Sequence, residues 1–417
     1  MPSLELLMPA GDFEKMQYSF AYGADAVYLG IPRFSLRARE NGFKTLEQVA
    51  EAVDYAHKLG KKVYVTANIF AHNSKLPSFT KYIADLLVLC KPDAWIMSDP
   101  GLIMMMQEHF PQEIIHISVQ SNTINYASAK FWQKLGAKRI IVSREITVKE
   151  IKEIREACPE MELESFVHGA ICMAHSGRCL ISNYLSHRDS NQGVCTNSCR
   201  WEYKTFYVKE SERPDELFEL DEDEHGSYLM NSKDLCAIHC LKDLQEAGVC
   251  SFKVEGRSKS VYYVSMIARV YRQAIDDLEA GKPFNPEHMK EIFATSNRGF
   301  IEGFLYGNPG AAGQEYFSSN SAYSTYRFIA VAKEFDQEKK RLNLEMRNPM
   351  HAGQVLEISL PTGNETFTVK EIFDLKGNPV SQVHGGASHC WISFPKDPGP
   401  FAILREPIMQ SKPKEID

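Results

Sequence analysis

Short apolar runs rich in β-branched residues recur along the first 257 residues, alternating with longer stretches whose apolar positions repeat every three or four. The runs are LELLMPAG at 4–11, DAVYLG at 25–30, KVYVTANI at 62–69, AWIMSDPG at 94–101, IIHISVQS at 114–121, RIIVSRE at 139–145, LESFVHGA at 163–170 and CSFKVEGR at 250–257. Between most of them lie segments such as FEKMQYSFAYG, LEQVAEAVDYAHKLG and TVKEIKEIREA, spaced like helices that lay one face on a sheet. Near-continuously apolar strands separated by helices predict a parallel sheet covered on both faces. Eight such units fit a TIM-type (β/α)8 barrel in number and length. A doubly wound open sheet is the competing arrangement, because periodicity does not show closure.

After the eighth run, VYYVSMIARVYRQAIDDLEAG has the pattern of a final barrel helix, and a Gly- and Pro-rich stretch follows it. From about residue 320 the period changes to two, in YRFIAVAKEF, RLNLEMR, GQVLEISL, TFTVKEIFD, HCWISFP and FAILRE, with turn residues in LPTGN and DLKGNP. The organisation expected is α/β: a TIM-like barrel over 1–300 with a cysteine-rich insertion at 168–240, a linker over 301–322, and a small antiparallel β-barrel domain over 323–417. Such a small barrel binds RNA or caps another domain, and fold alone does not choose between these.

At 417 residues the chain exceeds what one hydrophobic core usually supports, in keeping with that division. No apolar run approaches eighteen residues and MPSLELLMPAGD lacks a charged-then-apolar leader, so a cytoplasmic protein without a membrane partner is expected. Ten cysteines are too dilute for a disulfide scaffold, which points to free thiols. A formal charge of -7 argues against coating nucleic acid through a general positive field, yet leaves room for a local basic groove.

Barrel enzymes place their chemistry at the carboxyl ends of the strands. Asn68, Asp99, Gln120, Arg144, Glu145, His168, Lys253, Glu255 and Arg257 collect there. For each one alone, a strand-end polar group bonded to a loop is the plain alternative. The seventh and eighth runs are joined by about eighty residues where two to six plus a helix would suffice, and long insertions of this kind are usually functional. Part of the insertion, KESERPDELFELDEDEHG at 209–226, reads as a solvated excursion.

The other part, HGAICMAHSGRCLISNYLSHRDSNQGVCTNSCRWEY, holds Cys172, Cys179, Cys195 and Cys199 among glycine, serine, asparagine and arginine rather than the apolar neighbours of structural cysteines. Six, fifteen and three residues separate them in turn. A structural zinc site usually pairs two short knuckles, and only the last pair looks like one. Four thiolates from turns of varied length suit an iron-sulfur cluster better, with zinc and a redox dithiol as alternatives. Arg178, Arg188 and Arg200 lie near in sequence and would offset its negative charge. Cys236 and Cys240 are one helical turn apart, within reach of a cluster, and a buried helix face explains them equally well.

ELLMPAGDFEKMQYSFAYGADAVYLG, MSDPGLI, SVQSN, the cysteine stretch, DEHGSYLMNSKDL and KVEGRSKSVYYV together resemble the collagenase-like peptidase family U32, and within it the tRNA hydroxylation branch. The resemblance implies a TIM-like barrel, an oxygen-sensitive four-iron four-sulfur (4Fe-4S) cluster, and formation of 5-hydroxyuridine at the wobble position of tRNA, dependent on prephenate and independent of molecular oxygen. Carried onto this chain, it implies Cys172, Cys179, Cys195 and Cys199 as cluster ligands, with Cys236 in reserve for Cys199.

Unactivated C5–H chemistry calls for a redox cofactor, with binding and electrostatics supplied by the protein. Arg178, Arg188, Arg144 or Arg257 is expected to pair with the two carboxylates of prephenate, His168 to carry a proton near the ring, and Gln120, Lys253 and Glu255 to complete the catalytic set. Arg33, Phe34, Arg37 and Arg39 in IPRFSLRARENGF are the expected RNA contacts, a solvated loop being the plainer reading. A peptidase remains the alternative function. The chain has neither G-x-S-x-G nor H-E-x-x-H, and only a dyad of Ser176 or Cys179 with His168 offers itself.

Overall fold

Eight parallel strands close a barrel in the computed structural model, which describes residues 3–38, 40–172, 174–179, 189–193, 208–209, 217–218, 222–223, 226–227, 232–309, 313, 323–386 and 388–408. They are β1 (Glu5–Pro9), β2 (Ala26–Gly30), β3 (Lys62–Ala67), β4 (Ala94–Met97), β5 (Ile115–Ile117), β6 (Arg139–Ile141), β7 (Glu162–Ala170) and β8 (Val249–Val254). Each pairs in parallel with the next, and β8 returns to pair with β1. This closure, which periodicity left open, excludes the doubly wound sheet.

The outer helices begin where short polar side chains satisfy the unpaired N–H groups of the first turn. Asp12 caps α1 (Phe13–Ala21), Thr45 caps α2 (Leu46–Lys58), Asp99 caps α4 (Pro100–His109) after α3 (Leu76–Leu89), and Asn125 caps α5 (Tyr126–Lys134). Thr147 and Glu150 cap α6 (Val148–Ala157) reciprocally. The expected last barrel helix is α8 (Val261–Glu279), which follows the short α7 (Leu241–Glu246) and β8 and buries Val264, Met266, Ile267, Val270 and Tyr271. None of the helices among the described residues is long and apolar enough to cross a membrane.

One irregularity decides where side chains point. Phe166 of β7 lies opposite Lys253 of β8, but the next pair is His168 with Val254, so Val167 is skipped. The extra residue turns His168 from the barrel interior to the outside, because neighbouring strand positions face opposite sides. The short strand Asp234–Cys236 then runs antiparallel to the end of β7, with Cys236 opposite His168. Phe300–Ile301 pairs with that strand in turn, and the Leu305 carbonyl accepts the Val148 N–H at 2.9 Å, so the first part of the expected linker is woven into the barrel flank.

The carboxyl-terminal part is an antiparallel sheet with its own core, including Ile329, Leu344, Leu356, Ile358, Ile392 and Leu404. Among the described residues the first and last strands of its order, Gly363–Thr368 and Pro379–Val380, do not pair with each other. It docks on α1, α8 and α9 (His288–Phe293). Tyr22 donates to the carbonyls of Ser359 and Phe401 at 2.9 Å, and Arg269 donates to the Leu360 carbonyl at 2.7 Å. Arg405 is wholly buried between Glu291 at 2.7 Å and Glu357 at 2.6 Å.

A candidate active site at the mouth of the barrel

Charged residues enter the barrel in two layers. In the lower one, Arg139 reaches Glu5 at 2.6 Å and Glu164 at 3.0 Å, and Lys253 reaches the other oxygen of Glu164 at 2.8 Å. Tyr64 and Ser251 donate to Glu5 at 2.6 and 2.8 Å. Burial alone would raise the Glu5 pKa, but Arg139 and these two hydroxyls hold it below the ordinary carboxylate range. His116 packs against the Tyr64 ring, and burial with the nearby cations of Arg139 and Lys253 keeps it neutral.

Above this floor a cavity of about 200 Å³ opens at the carboxyl ends of the strands. Its lining includes Tyr28, Asn68, Gln120, Phe166, four cations (Arg37, Arg144, Arg257 and Lys253) and one carboxylate, Glu255. The Lys253 ammonium stands 4.4 Å from the centre of the Tyr28 ring, and the Arg144 guanidinium 4.7 Å from that of Phe166. Burial pulls the Lys253 pKa below its ordinary value, with Glu164 pulling the other way. Glu255 stays ionised because Arg37, Arg257 and Arg144 outweigh the cost of its burial. Among the described residues neither Arg144 nor Arg257 forms an ion pair, so the chamber has positive charge in excess.

Cys172 and Cys179 open into the same chamber. The loop carrying them is bolted to the strand ends. Ser176 donates through its N–H at 2.5 Å and its hydroxyl at 2.7 Å to Glu145, and its Oγ lies 2.9 Å from Ser143. These bonds hold Ser176 at φ 48°, a left-handed conformation that non-glycine residues adopt at a cost. Arg178 donates to the Gln120 carbonyl at 2.8 Å, and the Asn122 amide lies 3.0 Å from His175. The SVQSN segment is therefore the shelf on which the cysteine loop rests. Asn191 accepts the Cys179 N–H at 3.4 Å and donates to its carbonyl at 3.0 Å.

Among the described residues no three His, Cys, Asp or Glu side chains come together as a metal site, and Cys172 and Cys179 are the two signature thiols that reach the chamber. Cys172 is exposed and Cys179 half-buried, whereas Cys236, Cys240 and Cys390 are buried, and burial pushes their thiols up to about 12, 11 and 12. Cys195, Cys199, Arg188 and Arg39 lie outside the described residues. Cys236 does not line the chamber; it sits behind β7, with its sulfur 4.0 Å from the Tyr271 hydroxyl. The reserve ligand is thus separated by a strand from Cys172 and Cys179.

Several expectations are corrected. His168, expected beside the ring as a proton carrier, is packed in the outer wall among Tyr263, Tyr271 and Phe300, where burial lowers its pKa to about 3. The skipped Val167 is the reason, and no strand count made on sequence reveals it. Phe34, expected to stack on RNA, is core, wedged against Phe79 and Tyr82. Arg37 belongs to the cavity, 3.1 Å from Glu255, while Arg33 is exposed over the Tyr82 ring. Arg178 serves the loop and lies over Phe70. Asp99 is a helix cap that also accepts the Ala71 N–H at 3.0 Å. Gln120, Lys253, Glu255, Arg144 and Arg257 do line the chamber. Tyr28 and Phe166 were missed; counting alternate positions back from the strand ends marks both as inward-facing.

The family model described as Peptidase family U32 matches residues 11–315, and that for the Peptidase family U32 C-terminal domain matches residues 324–405. The tRNA hydroxylation protein P of Escherichia coli (strain K12) is 43% identical over 431 aligned positions, which cover 94% of each chain. Its namesake in Haemophilus influenzae is 42% identical over 432 positions, again 94% of each. A 23S rRNA 5-hydroxycytidine synthase of Escherichia coli is 30% identical over 399 positions, 93% of this chain and 56% of that one.

Proposed function

The chain belongs to peptidase family U32, and from that premise we propose that it hydroxylates RNA, converting the wobble uridine of tRNA to 5-hydroxyuridine with prephenate as cosubstrate and without molecular oxygen. The observation that carries the reading is the make-up of one chamber, where two thiols of the four-cysteine signature open beside Arg37, Arg144, Arg257 and Lys253. The relatives named for tRNA hydroxylation and for 5-hydroxycytidine synthesis support the reaction class. A tRNA substrate goes with a cytoplasmic location.

Replacing C5–H by C5–OH with the oxygen of water releases two electrons and two protons, so the reaction draws on a two-electron acceptor besides the RNA and water. A 4Fe-4S cluster held by Cys172, Cys179, Cys195 and Cys199 would supply electron-transfer chemistry when bound. Arg144 and Arg257, which form no ion pair within 4 Å among the described residues, bind the two carboxylates of prephenate, a match of planar forks to planar anions. Lys253 is held by Glu164 at the chamber floor and presents positive charge from below. Tyr28 and Phe166 offer aromatic faces, and the paired layer beneath closes the chamber to bulk water. Arg33 at the rim meets RNA phosphate.

Among the described residues the dyad expected for a peptidase, Ser176 or Cys179 with His168, does not assemble. Ser176 is tied to Glu145, and His168 lies on the far side of β7, so among the described residues this serine has no imidazole within reach. Mass spectrometry of tRNA nucleosides from a deletion strain tests the proposal. Loss of 5-hydroxyuridine derivatives, restored by the wild-type gene and not by C179S, is expected. Unchanged levels in the deletion, or full restoration by C179S, overturn it.

A further inference from the structure

Among the described residues lining the chamber, Glu255 is the one carboxylate, and four cations surround it. Its backbone is fixed from three sides. The Glu255 N–H donates to the His168 carbonyl at 2.9 Å and Tyr263 donates to the Glu255 carbonyl at 3.0 Å. Gly169, at φ +109°, leaves the space next to that carbonyl, since a Cβ there would sit 2.4 Å from it. The backbone of Glu255 is thereby set just past the end of β8, and its carboxylate lies 3.1 Å from Arg37.

A carboxylate offers about four acceptor positions. Glu255 uses few of them: Oε2 receives a long bond of 3.3 Å from the Tyr28 hydroxyl, and Oε1 faces Arg37 at 3.1 Å without an aligned hydrogen bond. Its side chain retains 17% exposure. In a chamber built to hold anions, a fixed negative charge repels the ligand unless the ligand brings a hydrogen-bond donor to meet it.

We propose that Glu255 sets the specificity of this chamber by accepting a hydrogen bond from an O–H or N–H group on an anionic ligand whose negative charge is held by Arg144 and Arg257. The inference rests on the reading of the chamber as the substrate site. Two sources of the donor share this chemistry: the hydroxyl of a hydroxy-dicarboxylate such as prephenate, and the ring N3–H of uridine in an RNA chain. A purely charge-balancing Glu255 predicts the opposite sign. Removing it would then leave more positive charge and tighten the binding of every anion.

Calorimetric titration of the wild type, E255Q and E255A separates these cases. The ligand pairs are prephenate with the same dicarboxylate lacking its hydroxyl, and a uridine-bearing anticodon stem-loop with its N3-methyl form. In one pair the donor-bearing member is expected to lose roughly ten- to a hundredfold in affinity for E255A and less for E255Q, which keeps a neutral acceptor. The donor-free member should bind equally well or better, and this internal control excludes a folding defect. The pair that responds identifies the source. Equal or tighter binding of both members in both pairs overturns the role of Glu255. In the same titrations R257A should lose prephenate binding; unchanged binding there overturns the chamber as the site, and the inference with it.

Discussion

The two polar layers inside the barrel differ in one respect. In the lower layer Glu5, Arg139, Glu164 and Lys253 answer one another within 3.0 Å, and two hydroxyls complete Glu5. In the upper layer, among the described residues, Arg144 and Arg257 form no ion pair, and the one carboxylate beside them, Glu255, is shared with Arg37. A self-neutralised set holds a fold, whereas an unneutralised one inside a concave, protected space is set up for something from outside. Charge alone would rank the layers together; pairing separates them.

Removing one member of the closed layer gives the largest expected effect. R139L leaves Glu5 and Glu164 as buried carboxylates without their guanidinium, and urea denaturation should show a loss of about 3–5 kcal/mol. A loss below about 1 kcal/mol would mean that this layer is not closed in the sense argued, since such small effects belong to exposed pairs.

An intermediate effect is expected behind the cavity wall, where His168 is closed in by aromatic rings. Its folded pKa of about 3 lies below the ordinary 6.5, so the unfolded chain takes up the proton first as pH falls. The resulting destabilisation is absent above about pH 6.5 and grows as pH drops toward about 3. H168F should therefore lose less stability than the wild type between pH 7 and pH 5, measured by denaturant midpoint. Parallel curves would show that His168 is solvated rather than enclosed.

The smallest stability change belongs to the open layer. R144A removes a cation that, among the described residues, has a 3.4 Å bond to the Ala170 carbonyl and a stack on Phe166, and it trades the loss of attraction to Glu255 for relief of repulsion from the neighbouring cations. Its stability should stay within about 1 kcal/mol of the wild type, while prephenate affinity falls. A large loss of stability would turn the upper layer into a second structural one.

The strands, their order and the site at their carboxyl ends were legible because apolar runs and helical periods are local properties of the chain. The same rule placed Gln120, Lys253, Glu255, Arg144 and Arg257 at the strand ends, where they line the chamber. What escaped depended on geometry between distant segments. The skipped Val167 moves His168 through the wall, and nothing in FVHGA announces it. Phe34 reads as an exposed loop aromatic until Phe79 and Tyr82 of α3 are known to cover it. Arg37 and Glu255 are far apart in sequence, and only barrel closure brings them to 3.1 Å.

The buried Arg405 has a consequence for how sheet and barrel hold together. It lies in the last strand of the carboxyl-terminal sheet, while its partners Glu291 and Tyr262 belong to helices of the barrel flank. The guanidinium is therefore a clamp between units: the flank of α8 and α9 keeps its half-buried Glu291 answered by Arg405 only while the sheet is docked, so separating sheet and barrel would part a carboxylate on one side from a guanidinium on the other.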